Sequence, residues 1–259
     1  MRPPRTIGQA LFDSARSSRG LRFIEHDGQM RYASYQTLLD EALSIGGALQ
    51  ARGFHTGDRV ALIVPDVSGF VKAFFGIVAA GLVPVPLCPP AQAGDLGTFA
   101  VQSRHILSEA RAAGVVTTID VAPFLDDAMM SIADGHEAVG VGTSMSAGND
   151  GGPFAVGYAP PAARQPRIVI LDDLLLGPSL ATPFTVPTDG VALLQYTSGS
   201  TALPKGVVLT HANISANVAA IVGPGGLDAR PGDVAVSWLP LYHDMGLIGM
   251  LLSSVYEAA

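Results

Sequence analysis

"RVALIVPDVSGFVKAFFGIVAAGLVPVPL", residues 59–87, is the stretch that sets the architecture. Residues 59–65 form a short apolar run between Thr56-Gly57-Asp58 and Pro65, the pattern of a strand buried on both faces. From Val67 to Ala80 apolar residues fall nearly all round a helical wheel, and Gly81 stands where a helix ends. A second strand follows over 83–87. Strand, buried helix and strand in so short a span require a parallel crossover, so the fold class is α/β, with β-sheets flanked by helices.

The same rhythm extends outward. Ser34 is a natural N-cap, and Tyr35, Leu38, Leu39, Ala42, Leu43 and Leu49 make a helical stripe that Gly53 can end. Downstream we expect a helix over 101–113, a strand in "GVVTT" and a helix over 121–132. Residues 134–166 then lose both periods and are rich in Gly, Ser, Ala, Asn and Pro, which predicts an insertion, or secondarily a hinge between two domains. Order returns in "RIVILDDLL" as a strand running into a turn or short helix. "VALLQYTS" and "GVVLTH" read as strands and "ANISANVAAIV" as a helix. "VAVSWLP" reads as a further strand with Trp238 in the core, and "GLIGMLLSSVYEAA" as an apolar helix. Residues 250–259 contain no Gly or Pro to close that helix, so the chain is expected to stop inside an element.

Composition narrows the function classes. Charged residues make up 14% of the 259, against about 25% in ordinary soluble domains, and apolar residues 48%, so much of the surface is expected to be buried or covered. The net charge is −7 and the 15 Lys and Arg are scattered, which leaves a polyanion no landing site and argues against nucleic acid. No apolar run has the length of a membrane span or a secretory core, so a cytoplasmic protein is expected. The single cysteine, Cys88, lies beside two prolines and reads as a small buried apolar residue, and the histidines show no metal-ligand spacing.

One segment carries chemistry. Residues 197–201 offer four hydroxyls, from Thr197, Ser198, Ser200 and Thr201, around Gly199, and Lys205 and Gly206 follow. Backbone N–H groups, hydroxyls and one ammonium suit phosphate oxygens, with the glycines allowing a concave backbone. A Walker loop needs Gly-Lys-Ser/Thr at the end of its spacing; counted from Gly199, Pro204 and Gly206 occupy those places instead. Taken alone, such a segment is more often an exposed turn with a solvated lysine.

"YTSGSTALPKGV" resembles the phosphate loop of the adenylate-forming superfamily, which includes acyl-CoA synthetases, peptide synthetase adenylation domains and luciferases. "SWLPLYHDMGLIG", starting at Ser237, resembles the motif that faces the substrate carboxylate and acyl pocket in that family, and residues 30–64 and 76–90 resemble its opening elements. The pairing of "LQYTSGST" with "LPLYHDMGLIG" is most similar to fatty acyl-AMP ligases; a fatty acyl-CoA ligase shares much of it. The resemblance implies the first part of a large N-terminal AMP-binding domain over 1–259, with the insertion at 134–166 and no C-terminal domain. It implies ATP and Mg2+ as cofactors, a fatty acid as substrate, and an acyl carrier protein or polyketide synthase as acceptor.

By the same resemblance, Thr197, Ser198, Gly199, Ser200, Thr201, Lys205 and Gly206 would hold the nucleotide phosphates and His243 would act between the α-phosphate and the acyl carboxylate. Tyr242, Met245 and Gly246 would line the acyl channel, while Asp244 would either orient the His243 ring or cap the helix that follows. No magnesium ligand is assigned. Ala202 stands where the family usually has glycine or another small residue, and its Cβ resists a positive φ. The family's adenine- and ribose-binding segments, its hinge and its catalytic lysine have no counterpart in these residues. The expectation is therefore that the chain alone is inactive, whether as the front of a ligase or as a non-catalytic acyl- or partner-binding module.

Overall fold

The computed structural model describes residues 3–24, 27–90, 96–125, 165–197, 203–230 and 232–258. Strand β3 (Arg59–Ile63) is buried along its whole length and pairs in parallel with β4 (Val83–Pro86) on one side and β5 (Gly114–Thr117) on the other. With β6 (Arg167–Ile170) added to β5, the sheet runs in the order β4-β3-β5-β6, all parallel. Pro84 and Pro86 cannot donate ladder hydrogen bonds, which fits their place on a strand whose only sheet partner among the described residues is β3.

Alternation along β3 divides the molecule into layers. Val60 and Leu62 enter one core with α1 (Ile7–Ser14), α2 (Tyr35–Ala51) and α3 (Val67–Ala79), whereas Ala61 and Ile63 enter the other with α4 (Leu96–Glu109). The helix starts are capped as their sequences suggest: Ser34 and Asp66 accept from Thr37 N and Gly69 N. Gly53 and Gly81, at φ 79° and 74°, take the left-handed conformation just after α2 and α3.

A hairpin of β1 (Gly20–Ile24) and β2 (Met30–Ser34) leads into α2, and β6 runs into the short α5 (Leu171–Leu174). Beside β4 lies β7 (Val191–Thr197), the first strand of an antiparallel hairpin with β8 (Lys205–Thr210). Helix α6 (His211–Val222) begins in a reciprocal cap between Thr210 and Asn213, at 3.0 and 3.1 Å. The last apolar segment is wound as a π-helix, α7 (Met245–Leu252), and continues as α8 (Ser253–Ala258). The Ser253 hydroxyl donates to Ile248 O, five residues back, at that junction. No described helix is long and apolar enough to cross a membrane.

Two expectations fail here. "VAVSWLP" is not a strand: alternation supplies a face, but a strand also needs a partner ladder, and no described strand pairs with it. Val234, Val236 and Trp238 are therefore 77%, 69% and 86% exposed, and Trp238 is not in the core. Helix α4 starts at Leu96, five residues before its expected start, and ends before the expected 113. Only 121–125 of the helix expected over 121–132 lie among the described residues, as do only 165–166 of the insertion expected over 134–166.

The N-terminal segment is clasped by the last helices. Arg5 donates from its guanidinium to Tyr256 O at 2.8 Å and from its backbone to Ser215 Oγ at 3.2 Å, and the Tyr256 hydroxyl donates to Arg5 O at 3.0 Å. Deeper in, Ile7 N donates to Nδ1 of the buried His211 at 3.2 Å. That bond needs a neutral imidazole, and burial pushes the His211 pKa down to about 4 from 6.5. Above pH 6.5 the group costs nothing; as pH falls from 6.5 to 4 the unfolded chain takes up a proton that the folded chain refuses. The loss is about 1.4 kcal/mol per pH unit, about 3 kcal/mol over the window. Chemical denaturation from pH 8 to 4 should show His211→Asn losing less stability than the wild type below pH 6.5, by up to that amount. Parallel curves would mean that His211 is not the titrating group.

Candidate functional site

The β7–β8 register places Tyr196 opposite Gly206 and Thr197 opposite Lys205, as the last pair of the ladder. The Thr197 hydroxyl donates to Lys205 O at 3.4 Å. Lys205 is exposed, and among the described residues its ammonium makes no ion pair. Ser198, Gly199, Ser200, Thr201 and Ala202 lie outside the described residues, so of the phosphate-loop candidates the structure places Thr197, Lys205 and Gly206.

The second motif is brought to this hairpin by a buried amide. Gln195 lies within β7, and its Nε2 donates to Tyr242 O at 2.9 Å; its Oε1 is buried with no partner among the described residues. A grip on a backbone carbonyl fixes where the following side chain starts, here that of His243. His243 N donates to Pro240 O at 3.2 Å and Leu247 N donates to His243 O at 2.9 Å, so the turn is held on both sides. The Tyr242 and His243 rings stand 4.8 Å apart between centroids.

Tyr242, His243, Thr197 and Pro204 border one cavity of about 90 Å³, whose floor includes Cys88 just beyond β4 and Phe99 and Ile106 from α4. That volume admits a few water-sized groups, not a whole acyl chain. The Tyr242 hydroxyl donates to the Cys88 sulfur. Burial first, and that bond second, push the Tyr242 pKa up to about 12. Burial likewise pushes the Cys88 thiol up, which keeps it protonated at neutral pH and suits a packing residue over a nucleophile. Cys88 is half-buried, less enclosed than its sequence suggested.

The remaining candidates separate. Asp244 caps: its Oδ1 accepts from Met245 N at 2.8 Å, and no hydrogen bond joins it to the His243 ring. Met245 is exposed and away from the cavity. Gly246 is buried where a Cβ would stand 2.3 Å from Pro240 O, so its role is close backbone approach rather than lining. Among the described residues no group of three His, Cys, Asp or Glu could hold a metal ion. The sequence reading missed Gln195, Phe99 and Ile106. A polar residue inside an apolar strand was the available signal for Gln195, whereas α4 reaches the cavity only through the tertiary fold.

Comparison with known proteins gives a consistent picture. A family described as AMP-binding enzyme matches residues 11–259. A Caulobacter vibrioides protein provisionally described as an acyl-CoA synthetase is 34% identical over 96% of this chain and 38% of its own length. The long-chain-fatty-acid AMP ligase FadD32 of Mycobacterium marinum is 30% identical over 89% of this chain and 31% of that protein. A structure from work on fatty acyl-adenylate ligases of E. coli and L. pneumophila superimposes with a TM-score of 0.78 and 33% identity, covering 97% of this chain and 40% of that one. The chain thus spans less than half the length of these relatives.

The turn that carries His243 makes a direct prediction. Gly246→Ala should push the new methyl against Pro240 O and cost about 1–3 kcal/mol, read as a lowered urea midpoint at unchanged m-value. An unchanged midpoint would show that Gly246 does not fix the turn.

Proposed function

The chain belongs to the AMP-binding enzyme family, and on that premise we propose that the protein activates a fatty acid with ATP, giving an acyl adenylate and pyrophosphate. A carboxylate oxygen attacks the α-phosphorus, the bond to the β-phosphate oxygen breaks, and pyrophosphate leaves with the electron pair. Both reactants are anionic, so the site must offset negative charge on the attacking and leaving sides. The observation that carries the proposal is the loop end of the β7–β8 hairpin, where Thr197 and Lys205 stand side by side next to the cavity bordered by His243.

Each residue then has a defined task. The Lys205 ammonium and Thr197 hydroxyl meet the β- and γ-phosphates, with Ser198, Gly199, Ser200, Thr201 and Gly206 assigned to the same loop. The His243 imidazole holds the α-phosphate and the acyl carboxylate together, and Tyr242 flanks the acyl side. An exposed lysine with no ion pair among the described residues suits a polyphosphate. Mg2+ enters with the nucleotide, where it would neutralise the leaving pyrophosphate; such ions keep several waters and need no protein cage. Residues 1–259 belong in this reading to the nucleotide-binding domain, with 134–166 as an insertion.

The acceptor is proposed to be an acyl carrier protein or a polyketide synthase, in line with the AMP ligases among the relatives. Transfer to coenzyme A is the second reading, favoured by the description of the Caulobacter relative. Supplying pantetheinylated carrier protein and coenzyme A side by side to the longest natural form of the protein should yield acyl carrier product. Predominant acyl-CoA would reverse the choice. In the same protein, fatty acid-dependent ATP–pyrophosphate exchange should fall about 10²- to 10³-fold in Lys205→Ala with no loss of thermal stability, since Lys205 is exposed. Absence of exchange in the wild type with medium and long fatty acids would sink the proposal.

A further inference from the structure

We infer that His105, on the cavity-side helix α4, is a positioning residue that fixes the strand carrying Lys205; the inference rests on the phosphate role proposed above for that lysine. The His105 Nε2 lies 3.0 Å from Pro204 O and 3.4 Å from Glu109 Oε2. A carbonyl oxygen can only accept, so Nε2 carries the proton and donates to Pro204. Glu109, one helical turn along α4, presents its carboxylate to the same nitrogen.

Pro204 is buried and immediately precedes Lys205. Its ring fixes its own φ, so a grip on its carbonyl sets the direction in which the chain enters Lys205. The opposite strand meets the same helix face, where burial first and the Glu109 carboxylate second push the Tyr196 pKa up. Tyr196 precedes Thr197 as Pro204 precedes Lys205, and Thr197 and Lys205 are the last ladder pair. One face of α4 therefore meets both strands at the loop end of the hairpin. The helix is itself anchored by Phe99, Ile106 and Leu107, all buried in the core against the sheet.

A brace of this kind matters for a long, flexible ammonium side chain. Lys205 reaches its target through four rotatable bonds, so only its backbone origin can be set in advance, and small misplacements of a charge clamp are costly. His105→Leu removes the donor and keeps an apolar side chain of similar bulk; His105→Gln keeps an N–H within reach of Pro204. The reading is pyrophosphate affinity, followed on the Lys205 and Gly206 amide resonances, alongside thermal unfolding and fatty acid-dependent exchange.

With His105→Leu, pyrophosphate should bind about tenfold more weakly, the loss expected for one misaligned charge-assisted contact, and His105→Gln should restore most of it at an unchanged melting temperature. Equal affinity in His105→Leu and the wild type overturns the brace. So does an equal loss in both variants together with a lowered melting temperature, which is mere packing. A wild type that neither binds pyrophosphate nor supports exchange removes the phosphate reading, and the role of His105 with it. A wild type that does both while His105→Leu behaves identically removes only the brace.

Discussion

Every residue of β3 is buried, and that two-sided enclosure governs the rest. A strand with water on neither face must satisfy its backbone wholly through neighbouring strands and its side chains through a layer on each side. Parallel partners on both edges do the first, and α2, α3 and α4 do the second. Parallel pairing also aligns strand ends: β3, β4, β5 and β6 all finish on one side. Cys88, just past β4, borders the cavity on that side, the usual location of a ligand crevice in an open α/β sheet.

Rigidity and exposure are divided between different atoms of the same residues. The side chains with chemistry to offer, Thr197, Lys205 and His243, face solvent. What fixes them is backbone: Gln195 on the Tyr242 carbonyl, Pro240 and Leu247 around His243, His105 on the Pro204 carbonyl. Gripping carbonyls leaves those side chains solvated, while the bonds from Gln195 and His105 sit part-buried, where they are stronger than in open water.

The sequence was most informative where structure is local. The run at 59–65, the all-apolar stretch at 67–80, the caps at Ser34 and Gly53 and the two strands of the hairpin are encoded by period, cap and turn within a few residues, and the structure matches them. The segment 234–240 has a strand's alternation as clearly as any of these, yet strand formation is settled by a distant partner that alternation does not name. The site divided in the same way. Lys205 and His243 stood out through their motifs as candidates. Asp244 had two plausible roles that only the bond to Met245 N separates, and the contribution of α4 depends on contacts across about a hundred residues, such as His105 with Pro204.

The clasp between Arg5 and Tyr256 joins groups 251 positions apart. A ribosome adds about 5–20 residues per second, so α1 leaves the tunnel on the order of ten seconds or more before its partner strap is made. During that interval Ile7 and Leu11 have α2 and α3 to lean on but not α8, and Ile7 N lacks its acceptor on His211. Helix α1 thus waits about 240 residues of synthesis for its strap, and until α8 emerges that apolar face stays open to chaperones.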